Sequence, residues 1–125
     1  MNDRFVVVVH PAERIIEVHY PARPTVENYT AYEKEIRAAI EKMGGDWDCL
    51  VDQTALKALA PDFPPRIADL NTWARGKGMR RTARVIAESA IGELQGARIL
   101  RDSGVQDVGA IFKSRDEAWL FLRKK

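Results

Sequence analysis

The sequence predicts an α/β domain on a mixed sheet, with elements in the order β-β-α-β-α-β-α-β-α. Three observations carry that expectation. Two runs rich in valine and isoleucine flank a short proline-led turn near the start of the chain. After Thr25 the apolar spacing changes from every second residue to the three-and-four spacing of a helix. From there to the end, short apolar runs alternate with amphipathic stretches, with glycine or proline between them. An opening hairpin followed by such alternation gives a sheet that is antiparallel at its start and parallel later, with helices packed on it.

The first two strands are residues 5–10 (FVVVVH) and 15–20 (IIEVHY), joined by Pro11-Ala12-Glu13-Arg14. Pairing about that turn sets Val9 against Ile16, Val7 against Val18 and Phe5 against Tyr20. One face is then apolar throughout, and the other carries Val6, Val8, His10, Ile15, Glu17 and His19. A strand pair of this kind lays one face on a core.

The first helix follows from Val26, Tyr29, Tyr32 or Glu33, Ile36, Ile40 and Met43, with Glu27, Lys34, Glu35, Arg37, Glu41 and Lys42 on its solvated side. Thr25 is its N-cap, and Gly44-Gly45 supply the left-handed stop. Residues 47–52 (WDCLVD) are too apolar for a strand open on both faces, so that strand is placed centrally. A loop with Pro61, Pro64 and Pro65 leads into a helix through Ile67, Leu70 and Trp73 or Ala74, with Pro65 at its first position and Gly76 and Gly78 at its end. Residues 82–87 form the next strand. Ser89 caps a helix whose Ala90, Leu94, Ala97 and Arg101 share a side, and Gly104 closes it. Residues 108–112 are the last strand, and Ser114-Arg115-Asp116-Glu117 is a capping box for a helix through Ala118, Trp119, Phe121 and Leu122.

The 125 residues, 46% of them apolar, are read as a single domain spanning 1–125. With 18 acidic and 20 basic side chains there is no global field to draw nucleic acid or a membrane surface. No stretch approaches the roughly twenty apolar residues of a membrane helix, and the N-terminus lacks the layout of a signal peptide. The expectation is a cytoplasmic protein with no membrane insertion. One cysteine makes no internal disulfide, and two histidines, His10 and His19, show no metal-ligand spacing. No metal and no cofactor is expected.

Candidate chemistry is sparse. Ser89, Ser103 and Ser114 lack the GxSxG setting, and a triad would have to recruit a histidine from the hairpin. Hydrolysis through His10 or His19 requires that one of them meet both a hydroxyl and a carboxylate in space. Cys49, inside a strand, reads as a small inert hydrophobe. Arg75, Lys77, Arg80, Arg81 and Arg84 form the one local basic cluster. With no P-loop pattern, it reads as a solvated loop with arginine on the outer face of the following strand. Trp47, Trp73 and Trp119 each sit in an apolar stripe and are assigned to the core. No catalytic residue is assigned. What remains is the run CLVDQTAL, where an apolar strand stops at Asp52, Gln53 and Thr54, at the carboxyl end where ligands of parallel sheets gather. The same residue types also satisfy loop amides where a strand ends. Beyond them, Leu56, Leu59 and Phe63 give the proline-rich loop an apolar lining suited to a small molecule or a partner.

With CLVDQTAL, RTARVIAES and the closing GAIFKSRDEAWLFL in this order behind the hairpin, the sequence resembles the SpoIIAA-like proteins of the STAS superfamily, the anti-sigma-factor-antagonist fold. Phe112, Ala118, Trp119 and Leu120 match the family's closing strand and capped helix. The resemblance implies a non-catalytic regulatory role in which the domain binds a partner protein. In such antagonists a hydroxyl in an Asp-Ser-Ser-Gly-like run beside the second helix is phosphorylated, and the added charge alters the docking surface. The matching stretch here is Pro61-Asp62-Phe63-Pro64-Pro65. Asp62 fits that run; its hydroxyls and glycine are missing. The expectation is therefore a module without the serine phosphoswitch, with Thr54 as the fallback acceptor. Its binding surface is expected at Asp52, Gln53, Thr54, Leu56, Leu59, Asp62 and Phe63. The alternative, by analogy with CRAL-TRIO-type lipid binders, is a small apolar or lipid-like ligand under the proline-rich loop. A homodimer is the further expected state if apolar surface stays uncovered on the hairpin or that loop.

Overall fold

A computed structural model describes residues 4–57, 59–86 and 109–123. Within them, strands β1 (Val6–His10), β2 (Ile15–His19), β3 (Trp47–Gln53), β4 (Met79–Ile86) and β5 (Gly109–Phe112) lie side by side in chain order. β1 is antiparallel to β2, and every later neighbour pair is parallel. The helices are α1 (Val26–Met43), α2 (Phe63–Gly76) and α3 (Arg115–Arg123). The hairpin register is the one expected, with Val9 opposite Ile16 and Val7 opposite Val18. β3 is central, as its continuous apolar run requires.

Strand alternation divides the core in two. On one face, Ile16, Val18, Trp47, Cys49 and Val51 pack against Tyr29, Tyr32, Ile36 and Ile40 of α1 and Phe63, Ile67, Leu70 and Ala74 of α2. On the other, Ile15, Leu50, Ala83 and Val85 meet Ala118 and Leu122 of α3. Right-handed crossovers along a sheet built in chain order bring α1 and α2 to the same side. Thr25 caps α1: its hydroxyl accepts from the Asn28 N–H at 3.1 Å, and Asn28 Oδ1 accepts from the Thr25 N–H at 2.8 Å. Gly44, at φ 60°, ends it. At α3 the Ser114 hydroxyl accepts from the Glu117 N–H at 3.2 Å.

Several expectations shift. β4 begins at Met79, three residues before Thr82, because the Gly78 carbonyl accepts from the Trp47 N–H at 3.0 Å and brings Met79 opposite Trp47 across a bulge. Gly78 has φ 105°, and a Cβ there would collide with the Gly45 carbonyl. α2 begins at Phe63 and not at Pro65, since prolines in a first turn lack only N–H groups that have no helical partner there. The helix expected from Ser89 to Gly104, Ala87 at the end of the strand before it, and Val108 lie outside the described residues.

The basic cluster is solvated only in part: Arg75, Lys77 and Arg80 are exposed, as expected, while Arg81 and Arg84 are not. Arg80 and Arg81 lie in β4 and hold the buried carboxylate of Asp48 at 3.2 and 3.0 Å. Arg84 is fully buried, on the face toward α1 and α2. Of the tryptophans, only Trp47 is core; it donates its indole N–H to the Lys77 carbonyl at 3.1 Å. Trp73 and Trp119 are half-buried and pack against the edges of the two core clusters. Arg37 lies 4.6 Å over the Trp73 ring and Arg115 5.0 Å over that of Trp119, so each indole faces a cation at the surface.

Candidate functional site

The end of β3 closes on itself. Asp52 Oδ1 accepts from the Thr54 N–H at 2.9 Å and from the Thr54 hydroxyl at 2.6 Å. This is the local turn that short polar residues make after a strand. The Asp52 carbonyl accepts from the Tyr20 N–H at 2.9 Å, and the Lys57 N–H donates to the Ala22 carbonyl at 2.8 Å. The loop after β3 is thereby tied to the segment that leaves β2.

The seven expected surface residues separate into two groups. Thr54 and Asp62 are exposed and Asp52 is partly so, which leaves a polar rim at the carboxyl end of β3 and the start of α2. Asp62 makes no side-chain bond to the α2 amides, so its carboxylate is not engaged in capping. Gln53 and Phe63 are buried, the latter beside Tyr29 with ring centroids 5.5 Å apart. Leu56 and Leu59 are half-buried and pack against the core under α1 and α2. The apolar members of the set thus face inward.

Beside this rim lies a cluster that sequence reasoning did not assemble. Alternation puts Glu17 and His19 of β2 on the same face as His10 of β1, the face that carries α3. Glu17, only 3% exposed, is clamped by Arg115: Nε to Oε2 at 2.7 Å and Nη2 to Oε1 at 2.8 Å. His10 Nε2 stands 2.9 Å from Oε1 and His19 Nε2 2.7 Å from Oε2. The Arg115 hydrogen bonds hold the Glu17 carboxyl down to about 2 against the opposing effect of burial, and the two histidine contacts act in the same direction. An ionised carboxylate only accepts, so each histidine presents Nε2–H to it. His19 Nδ1 lies 3.5 Å from Asp52 Oδ2, which places the cluster beside the Thr54 turn. His10 also meets the Trp119 ring edge-on at 5.0 Å.

This arrangement binds charge and fixes geometry. The Thr54 hydroxyl is engaged by Asp52, and the histidine contacts described here run to carboxylates and to Trp119, so a nucleophile, base and orienter do not line up among the described residues. Burial pushes the Cys49 thiol up to about 12, far from the thiolate that would make it reactive. Among the described residues no group of three His, Cys, Asp or Glu side chains is placed to hold a metal ion.

No family model matches the sequence, and no curated protein is significantly similar to it. Solved structures do match. The NMR structure of the protein TM1081 aligns over 100% of this chain and 91% of that one, with a TM-score of 0.65 and 13% identity. The structure of an anti-sigma-factor antagonist (STAS) domain protein from Planctomyces limnophilus aligns over 97% of this chain and 99% of its own, with a TM-score of 0.63 and 12% identity. The chain has the fold of a STAS domain. On this STAS frame the Asp52–Thr54 turn sits at the carboxyl end of the central strand and Asp62 at the head of α2. The Glu17 cluster lies at the joint between the hairpin and the last helix of the fold. No helix among the described residues is long and apolar enough to cross a membrane.

Proposed function

We propose that this chain is a non-catalytic regulatory module of STAS type that acts by binding another protein, without a serine phosphoswitch. The observation that carries the reading is the polar rim of Asp52, Thr54 and Asp62 on a STAS frame, with the site's hydroxyl already bonded to its own neighbouring carboxylate. The head of α2, Asp62-Phe63-Pro64-Pro65, offers a carboxylate and no hydroxyl. A phosphate on Thr54, the fallback acceptor, would stand against Asp52 and break the turn by like-charge repulsion. The partner is expected to present basic or hydrogen-bond-donating groups to this rim.

The test is co-purification from native lysate with wild type and an Asp62→Lys variant. A stoichiometric polypeptide that accompanies the wild type and is lost from the variant supports the reading; repeated failure to recover one from the wild type counts against it. Phosphate-affinity electrophoresis of the protein from its own host is expected to give one unshifted band, and a shifted band abolished by Thr54→Val would restore the switch.

Self-association belongs to the same proposal. Val6 and Val8 of the edge strand β1, 36% and 38% exposed, share one face, Val9, 41% exposed, lies on the other, and among the described residues the outer backbone edge of β1 is unpaired. Sedimentation of wild type against Val8→Lys tests it: a dimer lost in the variant supports this edge as its interface, and a concentration-independent monomer removes it.

A further inference from the structure

Between the sheet and helices α1 and α2 lies a cavity of about 20 Å³. Aliphatic and aromatic side chains make most of its wall, but Arg84 and Asn71 also belong to it, with Tyr20, Tyr32 and Cys49. Ala83 and Val85 pack toward α3, so alternation turns Arg84, between them, toward α1 and α2. Arg84 is completely buried, and its Nε, Nη1 and Nη2 have no hydrogen-bond partner among the described residues. Asn71 Nδ2, in the same wall, has none either.

A guanidinium keeps its proton and offers five N–H donors with no acceptor. Buried without a counter-charge, it is strongly unfavourable unless something in the site answers it. None of the residues lining the cavity is a carboxylate. Burial pushes the Cys49 thiol and the Tyr20 hydroxyl up to about 12 each, and raises Tyr32 well beyond its ordinary value, so these neighbours stay neutral. The wall therefore carries one positive charge and no negative charge to match it; the Tyr20 hydroxyl near Arg84 offers only a neutral acceptor.

We propose that this cavity is an internal monoanion site in which Arg84, assisted by Asn71, holds a single negative charge. Its volume admits one water-sized group. The occupant is then a halide ion, since a phosphate or an organic carboxylate is too large. The site differs in place from the Asp52–Asp62 rim and does not depend on the protein-binding reading.

Thermal unfolding at constant ionic strength tests it, with sodium gluconate, too bulky to enter, replaced stepwise by sodium chloride. The wild-type Tm is expected to rise saturably by several degrees, since an occupant that binds only the folded state stabilises it. Arg84→Met is expected to lose that dependence. A wild-type Tm indifferent to chloride, or an equal rise in Arg84→Met, overturns it. Should Arg84→Met fail to fold, Asn71→Leu takes its place, with a weakened response upholding the site and an unchanged one overturning it.

Discussion

Replacing Arg115 with methionine is expected to strand the buried Glu17 carboxylate. Arg115 comes from the first residue of α3 and reaches across to β2, so it joins the end of the chain to the hairpin through two hydrogen bonds of 2.7 and 2.8 Å. Glu17 sits at about 2 in place of 4.5, with Arg115 the largest cause. That displacement corresponds to about 3 kcal/mol of preference for the charged form, all causes together. The Arg115 side chain is 42% exposed, and water screens part of its contribution, so the loss expected from Arg115→Met is about 2 kcal/mol. Urea unfolding near pH 7 reads the stability, and carbon-13 NMR of the Glu17 side-chain carboxyl reads its titration, which should move upward in the variant. A destabilisation below about 0.5 kcal/mol, the range of ordinary surface changes, together with an unmoved Glu17 titration would refute the reasoning.

Three further outcomes follow from the same structure. The Glu17 carboxyl lies below its ordinary value, so its stabilising contribution is complete above about pH 4.5 and fades as the pH falls toward 2; urea unfolding across this window should show the decline, and a smaller one in Arg115→Met. Gly78→Ala places a Cβ against the Gly45 carbonyl at a backbone angle that L residues avoid, and should cost about 2 kcal/mol or more by chemical unfolding; a neutral result would mean the turn is not as close as described. Cys49 should resist an aromatic disulfide reagent in native buffer and react at once in denaturant, since burial holds its thiol up at about 12; rapid native labelling would contradict its place in the core.

The fold was readable because its signals are local. The two-residue alternation of the hairpin fixed the Val7–Val18 and Val9–Ile16 pairs, and the helical spacing after Thr25 fixed which side of α1 is buried, with Tyr29, Tyr32, Ile36 and Ile40 inside. Element edges were less readable where distant residues decide them: β4 starts early because Trp47 and Asp48, some thirty residues upstream, hold Met79 and Arg81.

The candidate site was half legible. Asp52 and Thr54 stand out in the sequence as a polar stop after an apolar strand, and their turn is local. The Glu17 cluster is not local. Alternation already placed His10, Glu17 and His19 on one face, but the arginine that gives the cluster its character lies 98 residues further on, inside what reads as a capping box. Arg84 was hidden for a related reason. In a run of basic residues the usual expectation is solvent, and only the position of residue 84 between the α3-facing Ala83 and Val85 reverses it.

The proposed function of this STAS-fold chain is to hold another protein. Native mass spectrometry of the protein isolated from its own host, followed by the same sample denatured, tests it most directly. The expected result is a complex with a second polypeptide in fixed ratio that separates on denaturation. A chain accompanied only by an organic molecule that is lost on denaturation would contradict the claim and make ligand carriage the function.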